Sequence, residues 1–370
     1  MTIALSHGGS NIYSSPEPAE EVLVGTKQGI VTLKRNRGGS AWEVSRRALE
    51  GRHISSIIVE PRSGMIFAGG FFGSVHASAD GGLTWERRDA GLSHADVYCL
   101  AYVYQGDQIR IFAGTEPAHL FFSDDYGNHW TELASMRSVR SVDKWWFPAP
   151  PHTAHVKFIT FDPNTSSTIY ACIEQGAFLK SADGGKTWIE LNELGSYTDQ
   201  SRPVEHFYDV HKALIDPRDP RRIYVTGGAG LYVTNNGGAG WERWMCPDWA
   251  DDVYPDGLVF LPCDPQTMFV SAAEHNPRSW RQSRFSGSKI YRTRDGGKRW
   301  EVCRNGLPER MQQEVGALCL HEWGESFSVF AATTAGEVFC SDDGGDHWSL
   351  AVSGLAPVAK KGHEKLLGAA

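Results

Sequence analysis

Short apolar segments recur along the chain, and glycine-rich polar turns separate them. Six of these segments share one pattern, an aliphatic residue, then an aromatic residue, then a small or β-branched residue: Ile66-Phe67-Ala68, Ile111-Phe112-Ala113, Ile169-Tyr170-Ala171, Ile223-Tyr224-Val225, Met268-Phe269-Val270 and Val329-Phe330-Ala331. Each leads to a second apolar segment that ends in a polar turn. Short β-type segments punctuated in this way predict strands rather than helices.

The polar turn after each pair of segments follows one signature, Ser/Thr-x-Asp-x-Gly-x-x-Trp, with Asn in place of Asp in one copy. Its six clear copies and one degenerate copy end at Trp85, Trp130, Trp188, Trp241, Trp300, Trp348 and Trp42, respectively. Successive tryptophans are 43, 45, 58, 53, 59 and 48 residues apart. A β-rich repeat of about 40–50 residues is typical of a β-propeller. The sequence therefore predicts an all-β fold, a single seven-bladed β-propeller of four-stranded blades.

The residue types in the signature suit a turn between the outer two strands of a blade. The Asp or Asn side chain is expected to accept hydrogen bonds from backbone N–H groups two residues on. The glycine takes the positive φ that other residues resist, and the tryptophan buries a large ring. Because copies in outer turns cannot meet on an axis, we interpret the signature residues as structural and exclude them as site candidates.

The chain begins in the middle of a blade, because Val22–Gly25 has the pattern of a second strand. The first strand of that blade must come from elsewhere and closes the ring, which removes open sheet edges. We expect the segment around Pro357-Val358-Ala359 to supply it, with the segment before Glu20 as the alternative donor. Residues 1–370 then form one propeller domain, with 1–19 and 360–370 as terminal extensions.

Composition narrows the function classes. The net charge is −8 over 370 residues, without basic runs, which argues against nucleic-acid and membrane partners. The glycine-rich stretch 227–230 is not followed by a helical pattern, so no nucleotide cofactor is expected. The N-terminal residues lack the basic and apolar regions of a signal peptide, and the seven cysteines lack CxxC spacing. We therefore expect reduced thiols and a cytoplasmic location.

Histidines gather where the first strands of several blades begin. In a propeller these positions face the central funnel on the face that carries the long loops, and imidazole is a good ligand for transition metals. We expect one divalent transition metal ion there, with the ligands His53, His155, His206 and His211. The candidate catalytic groups beside them are Asp209, Lys157 and Glu205. The alternative is that these histidines are ordinary buried or surface residues.

The inserted loops add aromatic and charged residues at the same rim. The candidate substrate-binding residues are Trp145, Trp146, Arg202, Tyr208, Glu274, His275, Trp280 and Arg281. Long loops on a rigid scaffold often carry function, and this mixture suits a sugar, an aromatic acid or a peptide. The alternative is that the aromatic side chains anchor the loops to the rim.

From about residue 20 to 358, the chain resembles bacterial cytoplasmic Asp-box (BNR) repeat propellers that carry sialidase-like or glycosyl hydrolase labels. The resemblance rests on the six turns, on 23–30, on 209–211 with 216–220, and on 354–358. It also extends to xyloglucan-cleaving enzymes, which use paired acids between two seven-bladed propellers. The photosystem II assembly factor is similar too, as a single seven-bladed binding scaffold.

Three functions follow as expectations. The first is an enzyme with a funnel site that performs metal-assisted hydrolysis or lyase-type chemistry on a small polar or aromatic substrate. The second is a non-catalytic propeller that binds a protein or peptide. The third is a sialidase-like glycoside hydrolase that uses paired carboxylates, whose separation decides between retention and inversion.

Overall fold

The structure is a computed structural model that describes residues 1–36, 41–191, 208–228 and 230–368. The chain divides into two compact units. Unit 1 comprises residues 1–68, 78–85 and 246–370, and unit 2 comprises residues 69–77 and 86–245.

The strands are short, and most are buried along their length. The first nine are β1 (Thr2–Leu5), β2 (Ile12–Ser15), β3 (Glu21–Thr26), β4 (Gly29–Arg35), β5 (Trp42–Ala48), β6 (His53–Val59), β7 (Ile66–Phe71), β8 (Ser74–Ser78) and β9 (Glu86–Arg87). The next twelve are β10 (Asp96–Gln105), β11 (Gln108–Glu116), β12 (Leu120–Ser123), β13 (Thr131–Glu132), β14 (His155–Asp162), β15 (Thr165–Glu174), β16 (Phe178–Ser181), β17 (Ile189–Glu190), β18 (Val210–Ile215), β19 (Ile223–Gly227), β20 (Gly230–Thr234) and β21 (Glu242–Trp244). The last eight are β22 (Tyr254–Leu261), β23 (Asp264–Ala273), β24 (Lys289–Thr293), β25 (Glu301–Val302), β26 (Val315–Trp323), β27 (Ser326–Thr333), β28 (Val338–Ser341) and β29 (Ser349–Val352).

Helices are few and short in the described part of the chain. The two α-helices are α1 (Pro277–Ser283) and α2 (His363–Leu366), and 3₁₀ turns span Ala134–Ser138 and Val142–Lys144. Among the residues that the structure describes, neither helix has the length and apolar character that a bilayer crossing requires.

The strands form seven sheets. Six have four strands, in the orders β1-β3-β4-β5, β6-β7-β8-β9, β10-β11-β12-β13, β14-β15-β16-β17, β18-β19-β20-β21 and β22-β23-β24-β25. The seventh has five strands in the order β2-β26-β27-β28-β29. The chain is thus an all-β, seven-bladed β-propeller of four-stranded blades, as the repeat predicts.

The first strand of the first blade comes from the N-terminus. Strand β1 pairs with β3 in parallel, from Thr2 opposite Glu21 to Leu5 opposite Val24. The preferred donor predicted above, residues 357–359, is therefore wrong, and the alternative donor is correct. A physical reason is that Pro357 has no N–H for a ladder. Its carbonyl instead accepts one hydrogen bond from the Lys27 N–H at 2.9 Å.

The N-terminal segment also accounts for the fifth strand of the seventh sheet. Strand β2 lies parallel to β26, from Ile12 opposite Leu320 to Ser15 opposite Trp323. Residues that the sequence pattern assigned to a terminal extension are therefore part of two sheets in unit 1.

The repeated turns are held by local hydrogen bonds. In the copy around Asp183, a carboxylate oxygen accepts from the Lys186 N–H at 3.0 Å and from the Thr187 N–H at 2.9 Å. The Thr187 hydroxyl donates to the other oxygen at 2.6 Å. The acceptor therefore serves N–H groups three and four residues on, rather than two, because Gly184 and Gly185 both take positive φ and lengthen the turn. These bonds, led by the Thr187 hydroxyl, lower the pKa of the Asp183 carboxyl to about 2.

Candidate functional site: a buried cluster in unit 2

Several buried ionisable residues of unit 2 form a cluster where β14, β15 and β18 come together. Two irregularities in the ladders shape it. The pairing passes from Val156 to Phe158 and from Val210 to Lys212, so Lys157 and His211 are the extra residues of β-bulges. A bulge bends its strand and redirects a side chain, which is why bulges are frequent beside functional sites.

Glu174, at the end of β15, is the centre of this cluster, and its side chain is 1 % exposed. The Glu174 Oε2 atom lies 2.6 Å from the His155 Nε2 atom. The Glu174 Oε1 atom lies 3.6 Å from the Lys157 ammonium, which is itself fully buried. Burial of a carboxylate is costly unless opposite charges and hydrogen bonds compensate it, and here both are present.

Asp209 and His211 complete the cluster on the next blade. The His211 Nε2 atom lies 3.4 Å from an Asp209 carboxylate oxygen and 3.8 Å from Glu174 Oε1. Asp209 also forms a backbone bridge with Glu174. One donor atom from each of these three residues lies within 4.8 Å of the other two, a spacing that can hold a metal ion. The Asp209 side chain is 14 % exposed, so the cluster reaches solvent on this side.

His155 is enclosed on its remaining sides. The Tyr98 ring stacks on it with 3.7 Å between centroids and 20° between planes. A Glu116 carboxylate oxygen lies 3.8 Å from His155 Nδ1. Burial, followed by the charges of Glu116 and Glu174, raises the pKa of the Tyr98 phenol well above its ordinary value. The imidazole of His155 thus lies between the carboxylates of Glu116 and Glu174, and these contacts fix its orientation.

Glu174 and Glu116 are absent from the residues predicted from the sequence. A signal for them existed, since each is an acidic residue at the end of a second strand whose C-terminal half is buried and mostly apolar. An acid at such a position cannot face the core without a cationic or hydrogen-bonding partner. The predicted candidates lie at first-strand entries, whereas these two acids lie on the strands that pair with them.

The predicted ligands and catalytic residues have different locations. His155, His211, Asp209 and Lys157 are brought together in unit 2, as described. His53 lies in unit 1, where its Nε2 atom is 3.0 Å from the Ala359 carbonyl oxygen, and burial lowers the pKa of its imidazole. The predictions for His206, Glu205 and Arg202 lie outside the described residues.

The described substrate-binding candidates of unit 2 lie in the segments that lead into β14 and β18. The Trp145 indole N–H donates to the Ser141 hydroxyl at 2.8 Å, which anchors that side chain. Trp146 is 54 % exposed, and its ring is parallel to His152 at 5.0 Å. The Tyr208 carbonyl oxygen accepts a hydrogen bond from the Gly176 N–H at 2.9 Å.

The predicted substrate-binding residues of unit 1 contact other protein groups, apart from the exposed Arg281. Glu274 forms a salt bridge with Arg310, and although burial raises the pKa of this carboxyl, the bond to Arg310 brings it below its ordinary value. His275 pairs with Asp252 at 2.8 Å. Trp280 is fully buried, and its indole N–H donates to the His275 carbonyl oxygen at 2.8 Å.

Comparison with known proteins gives structural likeness only. No protein-family model matches the chain, and no curated protein matches it. The GH74 xyloglucanase from Xanthomonas campestris superposes with a TM-score of 0.66 at 18% identity, over 95% of this chain and 55% of that one. An ancestral GH74 enzyme gives 0.59 at 17% identity, over 80% and 38%. A structure of YCF48 bound to D1 peptide gives 0.50 at 16% identity, over 93% and 88%.

The chain spans 38% and 55% of the two GH74 enzymes named above and 88% of the peptide-bound YCF48 chain. Identities this low carry the fold and leave the chemistry to the residues of the site. Solved structures of both an enzyme class and a peptide-bound protein share the propeller fold of this chain.

Proposed function

We propose that the chain is an enzyme whose reaction centre is the cluster around Glu174, with one divalent transition metal ion held by Glu174, Asp209 and His211. Its reaction is hydrolysis or lyase-type chemistry on a small polar or aromatic substrate. The single observation that carries this proposal is the approach of donor atoms from these three residues to within 4.8 Å of one another.

The donor set suits such an ion. Imidazole and carboxylate ligands together favour first-row transition metals, and three protein ligands leave positions open for water or substrate, as in catalytic rather than structural sites. The hydrogen bond from His155 to the other oxygen of Glu174 is the kind of outer contact that orients a metal ligand. A bound ion would polarise a carbonyl or activate a water molecule.

Lys157 has a second role in this proposal. Its ammonium lies 3.6 Å from Glu174 and is fully buried. A buried cation at that distance can stabilise negative charge that develops on a substrate, because water does not screen it. The partly exposed Asp209 marks the side from which a substrate approaches.

Elemental analysis of the purified protein after reconstitution with Zn²⁺, Mn²⁺, Fe²⁺, Co²⁺ or Ni²⁺ tests the proposal. We expect about one equivalent of one of these ions in the native chain and less than a tenth of that in an Asp209→Ala/His211→Ala variant. The matched control is His119→Ala/Glu132→Ala, which removes an exposed histidine–carboxylate pair with a 2.6 Å contact and should retain the metal. A folded native chain that takes up none of the ions would overturn the metal centre.

Glycoside hydrolysis by the Glu174 and Asp209 carboxylates is less well supported. Such enzymes place both carboxyl groups beside the sugar ring, and the Glu174 side chain is only 1 % exposed. The GH74 likeness concerns enzymes with a much longer chain.

Peptide or protein binding is the second candidate function. Exposed Trp146, stacked on His152, is the observation that favours it, because exposed aromatic rings often anchor partners. A structure of YCF48 bound to D1 peptide shares the fold. A metal-free native chain in the experiment above would make this the leading function.

We further propose that the chain belongs to the cytoplasmic Asp-box propellers with sialidase-like labels. The six repeated turns support the class, and seven free cysteines, six of them buried, support a reducing compartment. Cell fractionation with an antibody against the native chain tests the location, and recovery from the medium or an exported fraction would contradict it.

A further inference from the structure

Side-chain contacts, rather than a strand pairing, hold residues 360–368 of unit 1, the C-terminal segment. The segment follows β29, which ends at Val352, and it belongs to no strand. Four of its side chains are almost completely buried at positions i, i+3, i+4 and i+7: Lys360, His363, Glu364 and Leu367. His363 and Glu364 lie in α2, whereas Lys360 precedes this short helix and Leu367 follows it, with Gly362 in the left-handed conformation at its start.

Three of these four anchors are ionisable, and each meets a polar group of the unit 1 body. The Lys360 ammonium donates to the Tyr254 hydroxyl at 3.0 Å. The His363 Nδ1 atom lies 2.7 Å from a Glu314 carboxylate oxygen. Such contacts are stronger and more directional than apolar packing, and they distinguish one partner from another.

A salt bridge and a backbone clamp extend the contact. The Lys27 ammonium lies 3.2 Å from the carboxylate of Glu364. On the other side, the Arg284 guanidinium donates to the carbonyl oxygens of Lys365 and Leu366 at 2.8 and 3.0 Å. Arg284 therefore contacts the backbone of the segment independently of its sequence.

Aromatic rings form the apolar floor of this contact. The Trp280 ring meets the His363 imidazole edge-on, at 5.2 Å and 82°. Leu367 packs with Tyr254, Ala273 and Trp280 in one small cluster. Charged and apolar side chains docked on an aromatic floor with a polar rim resemble a short peptide bound in a groove.

We propose that this surface of unit 1, made by Lys27, Tyr254, Trp280, Arg284 and Glu314, is a peptide-binding site that the C-terminal segment occupies in cis. The partner it fits is a short peptide with the order Lys-x-x-His-Glu-x-x-Leu, which displaces the segment. The segment can leave without breaking a strand pairing, because it joins no sheet. This inference does not depend on the reaction proposed for unit 2.

Displacement has a quantitative consequence. A tethered segment competes at an effective concentration on the order of 1 mM. If an added peptide binds the open site with a Kd of about 10 μM, the docked segment weakens its apparent affinity roughly a hundredfold.

The test uses the full chain and a fluorescent synthetic peptide of residues 357–370. In a Lys360→Ala/His363→Ala chain, whose own segment is weakened about tenfold, we expect anisotropy titration to show binding about tenfold tighter than in the native chain. A peptide with the same two substitutions should bind at least tenfold more weakly. Equal binding of the two peptides to this variant would overturn the proposal.

A second pair of variants examines the receptor side. Added to the weakened chain, Arg284→Ala removes both hydrogen bonds to the backbone of the segment and should lower peptide affinity at least tenfold, because each bond has a charged donor. Arg281→Ala, which removes an exposed arginine from the helix that Arg284 directly follows, is the matched control and should leave the affinity unchanged. Equal effects of the two arginines would contradict the assigned surface.

Hydrogen exchange of the native chain keeps the proposal testable if the double variant fails to fold. We expect amides of residues 360–368 to exchange at least a hundredfold faster than those of β26 without global unfolding. Exchange of both regions only through global unfolding would show that the segment is an integral part of unit 1.

Discussion

Replacement of Glu174 by glutamine measures how much of the stability of unit 2 depends on its buried charges. The substitution keeps the size of the side chain and removes its charge. Lys157, fully buried, then loses a carboxylate 3.6 Å away, and His155 loses a charged acceptor at 2.6 Å. Removal of one partner from a buried ion pair costs about 3–5 kcal/mol, because the other charge stays buried with less compensation.

The control has the same chemistry at the surface. Glu132 lies 2.6 Å from the His119 Nδ1 atom, but the two side chains are 33 % and 19 % exposed. Exposed ion pairs contribute less than about 1 kcal/mol, so Glu132→Gln should change the free energy of unfolding by no more than that. The difference between the two variants compares the whole buried cluster with a surface pair, since the substitution and the histidine–carboxylate distance are the same.

The assay is urea unfolding followed by tryptophan fluorescence, with a chelator present so that metal binding does not contribute. A Lys157→Met/Glu174→Gln double variant should recover part of the loss, with a coupling free energy of at least about 1 kcal/mol. If Glu174→Gln and Glu132→Gln reduce the free energy of unfolding equally, the cluster is not held by buried charge and the reasoning fails.

Three further measurements test other parts of the structure. Trp241→Ala should lower the free energy of unfolding by about 3–5 kcal/mol, because the Trp241 side chain is only 1 % exposed. Trp146 is 54 % exposed, so Trp146→Ala should lower it by less than about 1 kcal/mol. Calorimetric or urea unfolding that ranks the two variants otherwise refutes the burial assignment. In the folded chain at pH 8, iodoacetamide should label Cys263 alone, because the other six cysteines are buried. The reaction should be slow, because a hydrogen bond to Glu322 and then burial raise the pKa of the Cys263 thiol to about 11. Peptide mapping that finds a second labelled cysteine contradicts this. Burial, then the charge of the N-terminal amino group, lowers the pKa of His321 to about 4, so protons bind the unfolded chain preferentially. The free energy of unfolding should therefore fall by about 1–3 kcal/mol between pH 6.5 and pH 4, after allowance for screening. A His321→Gln variant with the same pH dependence would exclude this histidine as the cause.

The sequence determined the architecture because the relevant signals are local. Each repeated turn contains its own hydrogen-bond acceptor, its own positive-φ glycines and its own tryptophan, so one blade can be recognised without the others. Seven such units leave a propeller as the fold that buries every sheet. The same local character is the reason for interpreting the turn residues as structural.

Strand order at the terminus could not be obtained in this way. Both the segment before Glu20 and the segment around Pro357 were candidates for the first strand of the first blade, because each contains apolar residues. The choice depends on backbone groups, since β1 pairs in parallel with β3, while the Pro357 carbonyl makes one isolated bond. Pairing between segments distant in sequence is decided by register and N–H supply, which a hydropathy pattern does not contain.

For the candidate site, too, the sequence supplied some of the residues and the tertiary structure supplied the rest. The sequence alone indicated that His155, His211, Lys157 and Asp209 belong to strand entries on neighbouring blades. Only the tertiary structure placed Glu174 among them, and only the bulges at Lys157 and His211 directed those side chains to it. The role of a buried carboxylate such as Glu174 depends on the charges that the fold brings within 4 Å, because Coulomb interactions depend on distance in space rather than along the chain.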